Sequence, residues 1–219
     1  MYKNRFEIFL STQLLILFGS LLVPYNFHEN VLLPILFLLN IGAGILLISK
    51  NKGLIIFFIL LFVVSAVVFG SSMVVRSGED NLLIRLSVYF VFHIIVTLNI
   101  IKQVWLAKFV NKNVIMGLIS GYISLGFLAF FMFMSMEFVM PGSFRGTLME
   151  IESLGHKMDA IMYYAYITLL TIGYGEIVPV SPIAQKAAIF VGLIGQFYMV
   201  IITTVVIEKY IRHSSKENQ

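Results

Sequence analysis

Cysteine is absent from the 219 residues, so disulfides and thiolate metal sites are excluded outright. Charge is scarce as well: Asp, Glu, Lys and Arg make up 12% of the chain, against about a quarter in an ordinary soluble domain. With 59% hydrophobic residues and a mean hydropathy of +0.96, that scarcity excludes a soluble globule. The net charge of +4 is modest and needs no nucleic acid to explain it; it reads better as topology information. Clusters of His, Asp and Glu at catalytic spacing are missing from the apolar segments, so an enzyme is not expected. Lys3 and Arg5 precede an apolar run from Ile8 to Val23, as in a signal peptide. The following Leu21-Leu22-Val23-Pro24-Tyr25 is too bulky for cleavage, so this run is expected to stay as a first membrane helix.

What the chain has in abundance is long apolar runs. Polar or Pro/Gly-containing clusters divide them into spans near 8–24, 31–49, 53–75, 82–106, 114–139 and 183–207. Tyr25–Asn30, Lys50–Lys52 and Arg76–Asn81 are the short connections. Basic residues mark the cytoplasmic side of a membrane protein. Lys3 and Arg5, then Lys50 and Lys52, then Lys102, Lys108 and Lys112, and finally Lys209, Arg212 and Lys216 all fall on one side. The alternate connections are poor in base: none in 25–30, and Arg76 stands beside Glu79 and Asp80. The loop 140–157 sets Arg145 and Lys157 against Glu150 and Glu152. Both termini are therefore expected in the cytoplasm.

One more apolar run, Met158–Leu170, is about one helix long, short of the roughly 20 residues a crossing needs. It leads into Thr171-Ile172-Gly173-Tyr174-Gly175. Glycine at alternate positions frees the backbone for dihedrals other residues resist, so successive carbonyls can face one way. Thr171 adds a hydroxyl at the inner end. Ile172 and Tyr174 alternate with the glycines and are expected to point outward, where their bulk can brace the loop. A half-helix, a glycine-bearing loop and then a spanning helix make a re-entrant arrangement. Non-helical backbone at membrane depth is tolerated where it is buried in protein or lines a water-filled path.

Thr171-Ile172-Gly173-Tyr174-Gly175-Glu176 resembles the selectivity filter of potassium channels, and the resemblance covers roughly Val114 to Ile207. It implies an all-α polytopic membrane protein with six transmembrane helices, a re-entrant pore helix and a filter loop, assembled as a homotetramer. Residues 1–112 would form a four-helix peripheral domain. Residues 113–219 would form the pore domain, with outer helix 114–139, pore helix 158–170, filter 171–175 and inner helix 183–207. Backbone carbonyls from such loops replace the hydration shell of K+. By the same resemblance Thr171, Ile172, Gly173 and Tyr174 would coordinate K+, while Gly175 and Glu176 shape the outer mouth. Tyr163 and Tyr164 stand where relatives carry an aromatic cuff, and interfacial anchoring accounts for them equally well. The C-terminal end of the pore helix would aim its partial negative charge at a central cavity. Gly195, 20 residues past Gly175, matches a gating hinge, with Gly192 a turn earlier, although close helix packing is the alternative. Gln196, Met199 or Val200, Thr203 and Ile207 would share the cavity-lining face. Glu176 replaces the family's usual aspartate. Ile167 stands where some relatives place a buried acid, so that acid's form of inactivation is not implied.

Glu137, near the outer end of span five, is expected to be structural, tying that helix to the pore loop. Glu150, Glu152, His156 and Asp159 make a mixed-charge cluster in which proton or divalent sensing is the minor reading. Span four carries Arg85, His93 and Lys102, with Val88, Val91, Ile94 and Thr97 between them, instead of arginine at every third position. One charge supplies only about 2.3 kcal/mol per 100 mV, so strong voltage gating is not expected. His93 and Asn99 are expected to be hydrogen-bonded packing residues. About a dozen residues come after Ile207, so any ligand gate is expected to be membrane-embedded or supplied by another chain. The function implied is passive K+ conduction across the cell membrane, with no cofactor beyond the permeant ion. A weakly selective cation channel and a non-conducting subunit are the alternatives.

Overall fold

The computed structural model describes residues 4–48, 52–74, 80–150 and 153–217. Lys3, Lys50, Arg76, Glu79 and Glu152, which bear on the charge pattern, lie outside the described residues, as do the side chains of Asp80, Arg212 and Lys216. Among the described residues the chain is helical apart from one short ribbon. Helix α1 (Arg5–Phe18) ends in a 3-10 turn, Gly19–Leu21. A helical turn at Tyr25–Phe27 runs through a π-helical stretch, His28–Leu32, into α2 (Leu33–Ile48). Then come α3 (Lys52–Val74), α4 (Asp80–Leu106) and α5 (Lys112–Val139). Next are strand β1 (Phe144–Arg145), helix α6 (Leu154–Leu169) and strand β2 (Val178–Pro179). The chain closes with α7 (Pro182–Phe197), a π-helical segment Tyr198–Ile202, and α8 (Thr203–Glu217).

Three helices, Leu83–Leu106, Lys112–Val139 and Pro182–Ile211, are long and apolar enough to cross a membrane. Leu33–Ile48 and Lys52–Val67 are shorter apolar helices. The first helix differs from its expected span of 8–24. It starts at Arg5 and stops after 14 residues, a rise of about 21 Å, short of the ~30 Å hydrocarbon core. The connection after it is itself helical. Phe27 N and His28 N donate back to the Pro24 carbonyl at 3.1 and 3.0 Å, with Pro24 at the N-cap, where its missing N–H leaves no helical bond unmade.

Helix α5 lies at the centre. Asn111 caps it by accepting from Val114 N at 3.2 Å. Along one face Gly117, Ser120, Gly121 and Ser124 are small and buried, and small residues let membrane helices approach closely. A Cβ on Gly117 would meet Phe6 and Val104 at 3.1 Å, which is how near α1 and α4 come. Gln13 of α1 donates to Ser120 O at 3.2 Å and to Ser124 Oγ at 2.7 Å. The remaining faces bury Phe127, Phe130, Phe131 and Phe133.

The peripheral helices close on aromatic rings of their own. Phe92 lies 5.1 Å from Phe58 between ring centroids and 6.5 Å from Phe9. It fits because Gly44 leaves a notch: a Cβ there would come within 2.6 Å of the Phe92 ring. His93 departs from expectation. Its ring lies 5.2 Å from Phe127 and 5.4 Å from Phe131, and neither nitrogen has a hydrogen-bond partner among the described residues. Asn99 does bond, donating to Ile95 O at 2.9 Å.

The two ends of the bundle are held together differently. At one end Arg5 donates to Gln103 at 2.8 Å, Lys112 pairs with Glu7 at 2.8 Å, and Lys209 Nζ donates to the Trp105 carbonyl. At the other, Tyr25 and His156 bring their rings to 4.9 Å.

Candidate functional site

Helix α6 begins at Leu154, four residues ahead of the expected Met158. Its first turn, Leu-Gly-His-Lys, has no apolar period to betray it. That turn leans on the 25–29 connection: a Cβ on Gly155 would land on the Glu29 carboxylate. His156 and Asp159 therefore sit, still exposed, on a helix beside Tyr25. Burial pushes the Tyr25 phenol upward, and the nearby Asp159 and Glu29 carboxylates add to the shift. No group of three or more His, Cys, Asp or Glu able to hold a metal ion occurs among the described residues.

The last turn of α6 passes directly into the glycine-bearing loop. Leu170 N donates to Tyr166 O at 2.8 Å, Thr171 N to Thr168 O at 3.1 Å and Ile172 N to Ile167 O at 2.8 Å. Beyond them φ is positive at every second residue: 58° at Thr171, 58° at Gly173 and 94° at Gly175. Alternating handedness lets successive carbonyls face one side, whereas a plain strand alternates them. Positive φ at a β-branched residue is an outlier, and such strain gathers at functional sites. The glycine spacing did not reveal it at Thr171. Among the described residues no hydrogen bond ends on a carbonyl from Thr171 to Gly175. All five residues are exposed, Ile172 at 47% and Tyr174 at 72%. The bracing expected of those two side chains is thus not made within the chain.

The flanks are tied down. Tyr163 donates its hydroxyl to the Glu176 carboxylate, and that bond raises the phenol to about 12, so it remains a donor near neutrality. Tyr164 turns instead into a ring cluster, 5.1 Å from Phe133 and 5.2 Å from Phe144. Glu137 accepts from Gly142 N at 2.9 Å and Phe144 N at 3.1 Å, fastening the end of α5 to the segment directly after it and not to the pore loop as expected. Phe144 pairs with Pro179 and Arg145 with Val178 in an antiparallel ribbon. Ser143 O accepts from Val180 N at 2.8 Å. Gly146, with φ 151°, lies against the Glu176 carbonyl so closely that a Cβ would strike it. Neither Ser143 nor Gly146 was picked out from sequence.

Three tyrosines, also missed, hold the inner end. Tyr166 donates to Ile123 O at 2.8 Å, Tyr122 to Leu169 O at 3.2 Å and Tyr198 to Leu118 O at 2.7 Å. Gly126 leaves room for the Tyr166 ring, and Gly121 for the Tyr198 hydroxyl, which a Cβ would meet at 2.5 Å. Spare glycines in an apolar helix were the available signal. Gly195 of α7 is buried, and a Cβ there would strike the Leu169 carbonyl; Gly192 stands 4.0 Å from Thr168 O by the same measure. Both glycines thus seat the last turn of α6. Gln196 and Met199 are exposed and Thr203 is half-buried. The π-helical segment Tyr198–Ile202 lies between them, so the regular spacing that put Gln196 and Thr203 on one face is interrupted.

A family model described as ion channel matches residues 118–212, less than half of the chain. The segment holds most of α5, all of α6, the exposed loop and the helix from Pro182. No curated protein and no solved structure matches the chain. Together with three membrane-capable helices, the match indicates an ion channel in a membrane.

Proposed function

We propose that this protein is a potassium-selective channel, passing K+ down its gradient through a ring of backbone carbonyls. The observation that carries the reading is the alternation of positive φ through Thr171–Gly175, with its carbonyls unbonded in the chain. A carbonyl without a partner costs free energy unless water, an ion or another chain satisfies it. Four copies around an axis supply the missing enclosure, and K+ supplies the partner. Thr171, Ile172, Gly173 and Tyr174 coordinate the ion, while Gly175 and Glu176 form the outer mouth. Six crossings with both termini cytoplasmic accord with the gathering of Arg5, Lys112 and Lys209 at one end. Residues 1–112 act as a peripheral domain and residues 113–219 as the pore. Arg85, His93 and Lys102 supply too little charge on α4 for steep voltage gating.

Flux of K+ and Na+ through the purified protein in liposomes, under matched gradients and clamped potential, tests the reading. The expected result is barium-blockable flux that strongly favours K+. Equal Na+ flux would replace it with a weakly selective cation channel.

A further inference from the structure

The helix that follows Pro182 changes geometry part-way. Gly195 rests on the Leu169 carbonyl and Tyr198 donates to Leu118 O at 2.7 Å, so α7 is fixed on α6 and α5. Tyr198–Ile202 is then one π-helical turn, and α8 resumes at Thr203. Such turns are rare and are frequent at functional sites. Thr204 donates back to the Val200 carbonyl inside the turn, a bond that bends helices. The i→i+5 pattern takes in one residue more than an α turn. Every residue beyond it therefore stands where its predecessor would stand in an unbroken α-helix, a displacement of about 100°.

Three contacts depend on that offset of one residue. Lys209 Nζ donates to the carbonyl of Trp105, in the last turn of α4. The last four carbonyls of a helix lack intrahelical partners and form the negative end of its dipole, which favours a cation. In an unbroken α-helix Glu208 would take the seat of Lys209 and bring a carboxylate to those oxygens. Val206 is buried at 7% exposure, and Val205 would take its seat. The offset also decides what shares a face with Gln196. On α spacing that face continues through Thr203 and Ile207; with the offset Thr204 and Glu208 stand there, both exposed.

We propose that the π turn is a register switch, locked by Lys209 on the end of α4. Relaxation to α geometry turns α8 by about 100°, withdraws Thr204 and Glu208 from the Gln196 face and brings Thr203 and Ile207 onto it. On the potassium reading that face lines the cavity. The switch then exchanges a carboxylate that attracts cations for an apolar constriction that gates by dewetting. The register stands on Tyr198, Val206 and Lys209 within one chain; its effect on conduction rests on the potassium reading.

The chain has no cysteine, so single cysteines can report the register in the full-length protein in nanodiscs. The measurement is the rate of N-ethylmaleimide labelling, read by mass. Val206→Cys should react at least about tenfold more slowly than Val205→Cys, because its seat is packed. Exchanging the charges, Glu208→Lys with Lys209→Glu, puts the cation in the α seat and should reverse that order. Lys209→Arg should keep it. Slower labelling at 205 in the unexchanged protein, or an unchanged order after the exchange, overturns the proposal. Reversal by Lys209→Arg overturns the lock. In liposomes the exchanged protein should lose K+ flux severalfold and still prefer K+ to Na+. Unchanged flux with the order reversed overturns the link to conduction. Glu208→Gln, which loses the same carboxylate and keeps the lock, should lose less; an equal loss overturns the part given to Ile207. Absence of K+ flux with the labelling order as expected counts against the potassium reading alone.

Discussion

The peripheral helices and the segment from Leu154 to Ile202 solve opposite problems with the same residue types. In the first region glycine makes a notch that a ring fills, as Gly44 does for Phe92, and polar side chains close within the chain, as Gln13 does on Ser120 and Ser124. In the second, φ is positive at Gly173 and Gly175, and among the described residues no hydrogen bond ends on a carbonyl of the stretch they shape. The first region buries most of its rings and pairs several of its polar side chains within one chain, the His93 nitrogens excepted. The second leaves Thr171–Gly175 exposed. On the function proposed above, the residues that carry conduction are the exposed ones, which burial within one chain would not pick out.

That contrast can be broken, and the largest effect belongs to the loop 171–175 proposed as the filter. Gly173→Ala forces a Cβ into φ 58°, at about 1–2 kcal/mol per residue, a strain that the proposed tetramer would repeat in every copy. K+ flux should fall by at least about tenfold, the factor 1.4 kcal/mol carries, with thermal stability in detergent little changed; retained flux would show that the handedness is dispensable. Gly44→Val should do the reverse. Overpacking against Phe92 typically costs about 1–3 kcal/mol, seen as a fall of several degrees in melting temperature, while the protein that remains folded keeps its ion preference.

Tyr166→Phe probes the boundary between the regions. It removes the bond to Ile123 O but keeps the ring in the Gly126 notch, so a loss of about 0.5–1.5 kcal/mol is expected. Its companion Gly126→Val should cost more, because the ring cannot stay; equal losses would mean that the hydroxyl matters more than the notch. The smallest effect is assigned to Lys112→Ala. Its pairing with Glu7 is exposed, and such pairs contribute about 0–1 kcal/mol, so the melting temperature should hardly move and less so in high salt.

Legibility in the sequence divides along the same line. The freed backbone at 173 and 175 was readable because alternate glycines act on the backbone directly, residue by residue, and positive φ is found at both. That Glu137 ties down the end of its helix was readable, because a carboxylate there has few uses but to accept from backbone; which loop it holds was not. The additional turn at Leu154 was not, since its contacts come from Glu29 and Tyr25, more than a hundred residues away, and its own sequence is polar. Nor was the break at Phe18, where apolar Leu21 and Leu22 continue the pattern after the α-helix has stopped. Periodicity records which side chains avoid water; it does not record the change from α to 3-10 or π geometry, such as the π-helical segment Tyr198–Ile202 between Gln196 and Thr203. Tyr166 and Gly126 were each visible, but nothing in a single sequence says that they meet.

The three tyrosine bonds carry a consequence for how such a chain can drift over generations. Each phenol ends on a main-chain oxygen, at Leu118, Ile123 or Leu169, and every residue has that oxygen. Those three positions are therefore free to exchange one apolar residue for another without cutting the bond. The glycines opposite are not. Any larger residue at 121 or 126 must arrive with a smaller one at 198 or 166, so each glycine and its tyrosine are inherited as one character written at two places.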